Sequence, residues 1–153
     1  MIEMVMVLIV MAIIASFVLF RTATSRDELI AETEILKSHL RYAQIKAMND
    51  TDVNVPRGWG IHVPNNSSYV LYRDNAKASD EDILPGEVKT EDPPKDAQTH
   101  TLPSGVTVST DCVNATCNFN EWGSPGATTF TMTLMQGTST SNISITKNTG
   151  FVN

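Results

Sequence analysis

Seventeen consecutive residues, Met4 to Phe20 (MVMVLIVMAIIASFVLF), are apolar at every position but Ser16. As a helix such a run rises about 25 Å at 1.5 Å per residue, the short end of what crosses a hydrocarbon core of roughly 30 Å. A secretory signal peptide would carry a basic n-region and a small-x-small cleavage site. Here only Met1, Ile2 and Glu3 precede the run, and the one charge among them is acidic. A buried core helix would need apolar neighbours on every side, and the remaining chain is polar, rich in Thr, Asn, Ser and Asp. The run therefore predicts a membrane anchor over 1–20. The whole-chain averages, 41% hydrophobic and 18% charged over 153 residues, conceal this division.

No Pro or Gly occurs before Asp50, so nothing stops the helix at the end of the apolar run. Leu29, Leu36, Leu40, Ala43 and Ala47 recur at spacings of seven, four, three and four, with Arg26, Glu28, Glu34, Lys37, Arg41 and Lys46 between them. That spacing predicts an apolar helix passing directly into an amphipathic one, a stalk over 1–49 whose far end lays a single stripe on a separate body. Pairs such as Glu34 with Lys37 add only weak local support.

From residue 50 the pattern changes to short alternating segments punctuated by Gly, Pro, Asn and Ser, the signature of a β-rich head over 50–153. Trp59 to Val63 and Tyr69 to Tyr72, joined by Asn65-Asn66-Ser67-Ser68, read as a hairpin. Asp74 to Gln98, with Asp80-Glu81-Asp82, Glu91-Asp92 and Pro93-Pro94, reads as a long surface loop with one edge strand. Leu102 to Val108 restarts the strands. Phe130, Met132 and Leu134 alternate with threonines, and a turn over Thr138 to Asn142 leads into Ile143-Ser144-Ile145. Tyr42, Trp59 and Phe130 are assigned to core packing. The fold class expected is α+β: one long helix against a small antiparallel sheet head.

The start of the chain, Met1-Ile2-Glu3-Met4-Val5 and the long apolar helix after it, resembles the N-terminus of type IV pilins and type II secretion pseudopilins. Three further segments, Leu40-Arg41-Tyr42-Ala43-Gln44-Ile45-Lys46-Ala47, Gly58-Trp59-Gly60-Ile61, and Ile143-Ser144-Ile145 with Thr149-Gly150, are similar to the GspH/FimT-type group of minor pilins and pseudopilins. The resemblance implies a pilin fold and a structural subunit that assembles with copies of itself or with other pilins. It implies a filament packed through the apolar helix, by Glu3, Met4, Val7, Leu8, Met11 and Ile14. Before assembly the helix would be a single-pass anchor in the inner membrane with the head in the periplasm, and afterwards the filament would be periplasmic or extracellular. The family also implies a prepilin peptidase, a leader ending in Gly and an N-methylated residue, all of which would lie upstream of Met1.

Glu3 carries the sharpest expectation. A carboxylate at the lip of an apolar helix costs a few kcal/mol in hydrocarbon unless paired. By resemblance it pairs with the N-terminal amine of a neighbouring subunit and sets the axial register; without that, it rests in the headgroup layer.

Cys112 and Cys117 enclose four residues. In an exported domain a disulfide is expected there in preference to a metal site, which would need further Cys or His nearby. Closing so short a loop contributes about 2 kcal/mol through the unfolded state. His39, His62 and His100 share no ligand spacing, and neither a nucleophile elbow nor a phosphate loop occurs. No enzymatic activity, metal or cofactor is expected. Asp80 to Asp82, or Asp111 with Asn118, Asn120 and Glu121, offer oxygens of the kind calcium takes, but without a fixed loop pattern they read as solvated acidic loops. Beyond Asn49 six basic residues face twelve acidic ones, so all of the −6 net charge belongs to the head, a balance that repels DNA. The second functional class is a minor or tip subunit that binds or primes through the Asp74 to Gln98 or Cys112 to Cys117 loop. A third, a secreted enzyme, would begin after the apolar run.

Overall fold

The structure, a computed structural model, describes residues 2–50, 58–74, 76–79, 81–87 and 97–153; the side chains of residue 2 and of 17–25 lie outside that description. One helix, α1 (Ile2–Asn49), spans both halves of the predicted stalk without interruption. Its length follows from the absence of any breaker, and it ends at Asn49 as the polar linker begins.

The head consists of two antiparallel sheets. The first runs β3 (Ala76–Lys77), β2 (Ser68–Arg73), β1 (Trp59–Asn65), β6 (Thr116–Phe119), with β4 (Thr99–Thr101) also pairing with β2. The second runs β5 (Val106–Thr110), β7 (Phe130–Gln136), β8 (Ser139–Ile145). The β1–β2 register holds from Trp59↔Arg73 to His62↔Val70 and then shifts before Asn65↔Ser68. Pro64 sits in that interval, where its missing N–H has no ladder bond to forfeit. On the other side of β1, Gly60 pairs with Asn118, and a Cβ there would drive into the Cys117 carbonyl and Asn118, so only glycine lets β6 come this close.

The helix stripe read from spacing is the one that packs. Leu36, Leu40 and Ala43 are fully buried, Leu29 and Ala47 nearly so, and all five join Trp59, Ile61, Leu71, Phe119, Met132, Leu134, Ile143 and Ile145 in a single core. Trp59 is in that core, with Tyr42 and Phe130 packed against it. Alternation along β7 and β8 places Met132, Leu134, Ile143 and Ile145 inward and leaves Thr131, Thr133, Met135, Thr140, Asn142 and Ser144 on the outer face.

Two details differ from expectation. The turn after β7 is only Gly137-Thr138, with Gln136 facing Ser139, so the residues read as a turn through Asn142 belong to β8. Gly137 takes a positive φ of 59°, which permits so tight a reversal. The stretch read as a surface loop also reaches the core: Ala78, Leu84, Ala97 and Gln98 are buried. Its residues 75, 80 and 88–96, including Glu91, Asp92, Pro93 and Pro94, lie outside the described residues.

Candidate functional site

The assembly residues expected from the sequence occupy the first four turns of α1, ahead of the stripe that packs on the head. Met4, Val7, Leu8, Met11 and Ile14 are between 56% and 75% exposed, and Met6, Ile9, Val10 and Ile13 are exposed with them. Burial therefore singles out no one face; the segment is apolar all round. Glu3 stands at the end of a shallow groove along this cylinder whose wall is completed by Met6, Val7, Val10, Met11, Ile14 and Ala15. The spacing of Glu3, Val7, Val10 and Ile14 is that of a seam which a second helix can fill. Among the described residues no helix is long and apolar enough to cross a membrane. The last part of the expected anchor, 17–20, lies outside the described side chains.

The expected disulfide is present: Cys112 and Cys117 are bonded, with their Cα atoms 5.3 Å apart. Between them Asn114 and Ala115 both take positive φ, of 53° and 55°, and Val113 projects into solvent. Several of the oxygens considered for calcium are engaged otherwise, while Asn118 Oδ1 is buried with no hydrogen-bond partner among the described residues. Asp82 accepts from Lys46 Nζ at 2.7 Å and from Ser79 Oγ at 2.7 Å, Asp111 caps the Thr131 amide, and Asn120 Oδ1 accepts from the amides of Trp122 and Ser124. Among the described residues no group of three His, Cys, Asp or Glu side chains can hold a metal.

The sequence reading passed over a buried polar system beside the helix stripe. His39, 1% exposed, donates from Nε2 to the Pro85 carbonyl at 2.8 Å. A carbonyl only accepts, so the neutral ring carries its proton on Nε2, and Nδ1 accepts from the Tyr69 hydroxyl at 2.8 Å. His100, on β4, lies edge-on to His39 with ring centres 5.4 Å apart; its Nε2 meets Glu32 Oε2 at 2.9 Å and its Nδ1 meets Glu87 Oε1 at 2.7 Å. Each of these side chains is about a tenth exposed. Burial pushes the His39 imidazole below its ordinary range and the Tyr69 phenol above its own. Further along the helix, the hydrogen bond to Asp82 raises Lys46. For Asp82 burial acts upward, but the bonds from Lys46 and Ser79 outweigh it and leave the carboxyl lowered. One sequence signal was available: Glu32, His39 and Lys46 are seven residues apart and so share one line on the helix. The partners of that line come from distant segments and left no local trace.

Gln44 makes a second connection, donating from Nε2 to the Gly123 carbonyl at 2.7 Å and to the Gly150 carbonyl at 3.2 Å. It ties the turn after β6 and the C-terminal turn to the helix. Both glycines have positive φ, and a Cβ on Gly150 would collide with the Gly123 carbonyl.

With that architecture defined, the chain can be set beside known proteins. No protein-family model and no curated protein sequence matches it. Among solved structures it is similar to the minor pseudopilin EpsH from the Type 2 Secretion System of Vibrio cholerae, with a TM-score of 0.54 over 82% of this chain and 94% of that one. The chain has the pilin fold. At 10% identity the likeness concerns architecture: a long helix laid on two small antiparallel sheets.

Proposed function

We propose that this protein is a structural subunit, a pilin or pseudopilin, of a type IV pilus-like or type II secretion filament, built through the apolar half of α1. The observation that carries this reading is the continuous exposure of Met4 to Ile14 on every side of the N-terminal part of α1, ahead of the stripe that packs on the head. Burying one such side chain is worth about 1.5–3 kcal/mol, so the segment requires lipid or protein around it. Lipid covers it before assembly, when the subunit is a single-pass inner-membrane protein with a periplasmic head. Afterwards the helices of neighbouring subunits do so, by close side-chain packing. The likeness to a pseudopilin fold supports the subunit reading. Processing by a prepilin peptidase and N-methylation belong to the same proposal.

Within it, Glu3 at the mouth of the apolar groove pairs with the amine terminus of the adjacent subunit and fixes axial register. Its replacement tests the reading. Glu3→Ala and Glu3→Leu subunits are expected to reach the membrane in normal amount and to leave filament yield, measured by shearing and immunoblotting, at a small fraction of wild type. Wild-type yield from either variant refutes the assignment.

A second reading, a minor or tip subunit present in few copies, draws on two observations. The similar solved structure is described as a minor pseudopilin, and the disulfide-closed loop presents exposed Val113. Subunit counting separates the two, since a filament-forming subunit greatly outnumbers a tip subunit.

A further inference from the structure

Three residues on one line of α1 grip a single short segment of the head. Lys46 holds Asp82, His39 holds the Pro85 carbonyl, and Glu32 reaches Glu87 through the His100 ring. Their spacing of seven residues keeps them in register, while 82, 85 and 87 ascend as 46, 39 and 32 descend, so residues 81–87 run antiparallel to the helix. Leu84 is 1% exposed in the middle of the segment and is anchored by its amide to the Ala97 carbonyl. We propose that residues 81–87 form a strap that acid releases from α1, with His39 as the trigger.

The geometry makes His39 the acid-sensitive member of the three: burial opposes its charged form, although the bond to the Pro85 carbonyl and the nearby Glu87 carboxylate favour it. The groups facing it are Tyr69 from β2, Glu87 from the strap and His100 from β4, with Glu32 of its own helix bound to the His100 ring. Protonation places a charge in a site closed to water, 5.4 Å from the His100 ring, whose two nitrogens already face carboxylates. A proton on Nδ1 also ends the bond that Tyr69 donates, leaving that hydroxyl without its acceptor in a side chain that is 0% exposed. The sign is fixed by the same burial. Because the closed state lowers the proton affinity of His39, the open state binds the proton better, and closure loses stability as pH falls below 6.5. The Lys46–Asp82 tether behaves differently: Asp82 is held below its ordinary value of 3.8, so this end keeps its full contribution above that value and loses it only as pH falls further. Between those limits the strap opens from its Pro85 and Glu87 end, uncovering Leu84 and the helix face that bears His39.

The test is hydrogen exchange by mass spectrometry on the full chain in detergent micelles at pH 7.5 and 5.5, with protection corrected for the intrinsic exchange rate. Peptides covering 81–87 are expected to exchange on the order of tenfold faster at the lower pH while those covering β7 and β8 do not change. His39→Gln, which cannot take up the proton, is expected to abolish the step. An imidazole proton titration by NMR of the wild-type chain provides an independent check, because the His39 midpoint and the midpoint of strap opening must coincide. Unchanged protection of 81–87 in the wild type, a full step in His39→Gln, or two separate midpoints each overturn the proposal.

Discussion

Gln44 illustrates how much a single polar side chain decides here. Its one amide nitrogen joins the helix to two glycine carbonyls from segments far apart in the chain, each part-buried. Leaving buried acceptors unpaired costs about 1–3 kcal/mol, whereas an intact neutral bond contributes less than that. Gln44→Ala is therefore expected to lower unfolding free energy by about 1–3 kcal/mol in a denaturant titration in micelles. Gln44→Glu, the same shape with no donor, should cost at least as much, because it turns a carboxylate onto two carbonyl oxygens. His39, Glu32 and His100 work in the same way, as polar groups whose value lies in their partners. Sequence identifies all of them as residue types and none of them as pairs.

At the scale of the element, α1 is one helix with two unlike economies of burial. Its lower half is stabilised inside the chain: Leu40 is fully buried among both sheets. Its first four turns expose their apolar side chains to surroundings the chain does not itself provide, with Leu8 69% exposed. Truncations at the two sites should separate accordingly. Leu40→Ala is expected to destabilise the fold by about 2–5 kcal/mol, the usual cost of an enclosed large-to-small change. Leu8→Ala should leave the unfolding midpoint of the micellar subunit unchanged and weaken filaments instead, as read from their resistance to detergent or heat. A loss of head stability in Leu8→Ala would contradict the separation. The strands divide in the same manner at smaller scale, with one face of β7 and β8 in the core and the other carrying hydroxyls. At the β7–β8 connection a two-residue turn with glycine in a left-handed conformation lets Ser139 to Asn142 continue as strand, which residue preference for turns did not anticipate.

For the whole molecule, charge and apolarity are segregated along one axis. The helical half carries five basic and five acidic residues, so the −6 resides entirely in the head. A head of that sign repels polyanions, so a gel shift with duplex DNA at low salt is expected to show no tight complex; a submicromolar shift that weakens with salt would reverse this expectation. The division into an apolar segment, an amphipathic helix and a β-rich remainder was legible because each rests on a local period: an unbroken run, a helical repeat, and alternation along strands. Those periods placed Leu29, Leu36, Leu40, Ala43 and Ala47 on the buried stripe, and the bonded pair Cys112 and Cys117 was legible from their separation of five residues. What the periods could not convey was which distant segments meet. That Leu84 enters the core, that Gly123 stacks under Gly150, and that His39 and His100 share one site were decided only when the two sheets closed on the helix. The reason is physical: hydrophobic patterning is non-directional and can be read residue by residue, whereas hydrogen bonds and close backbone approaches are directional and exist only between partners already folded into place.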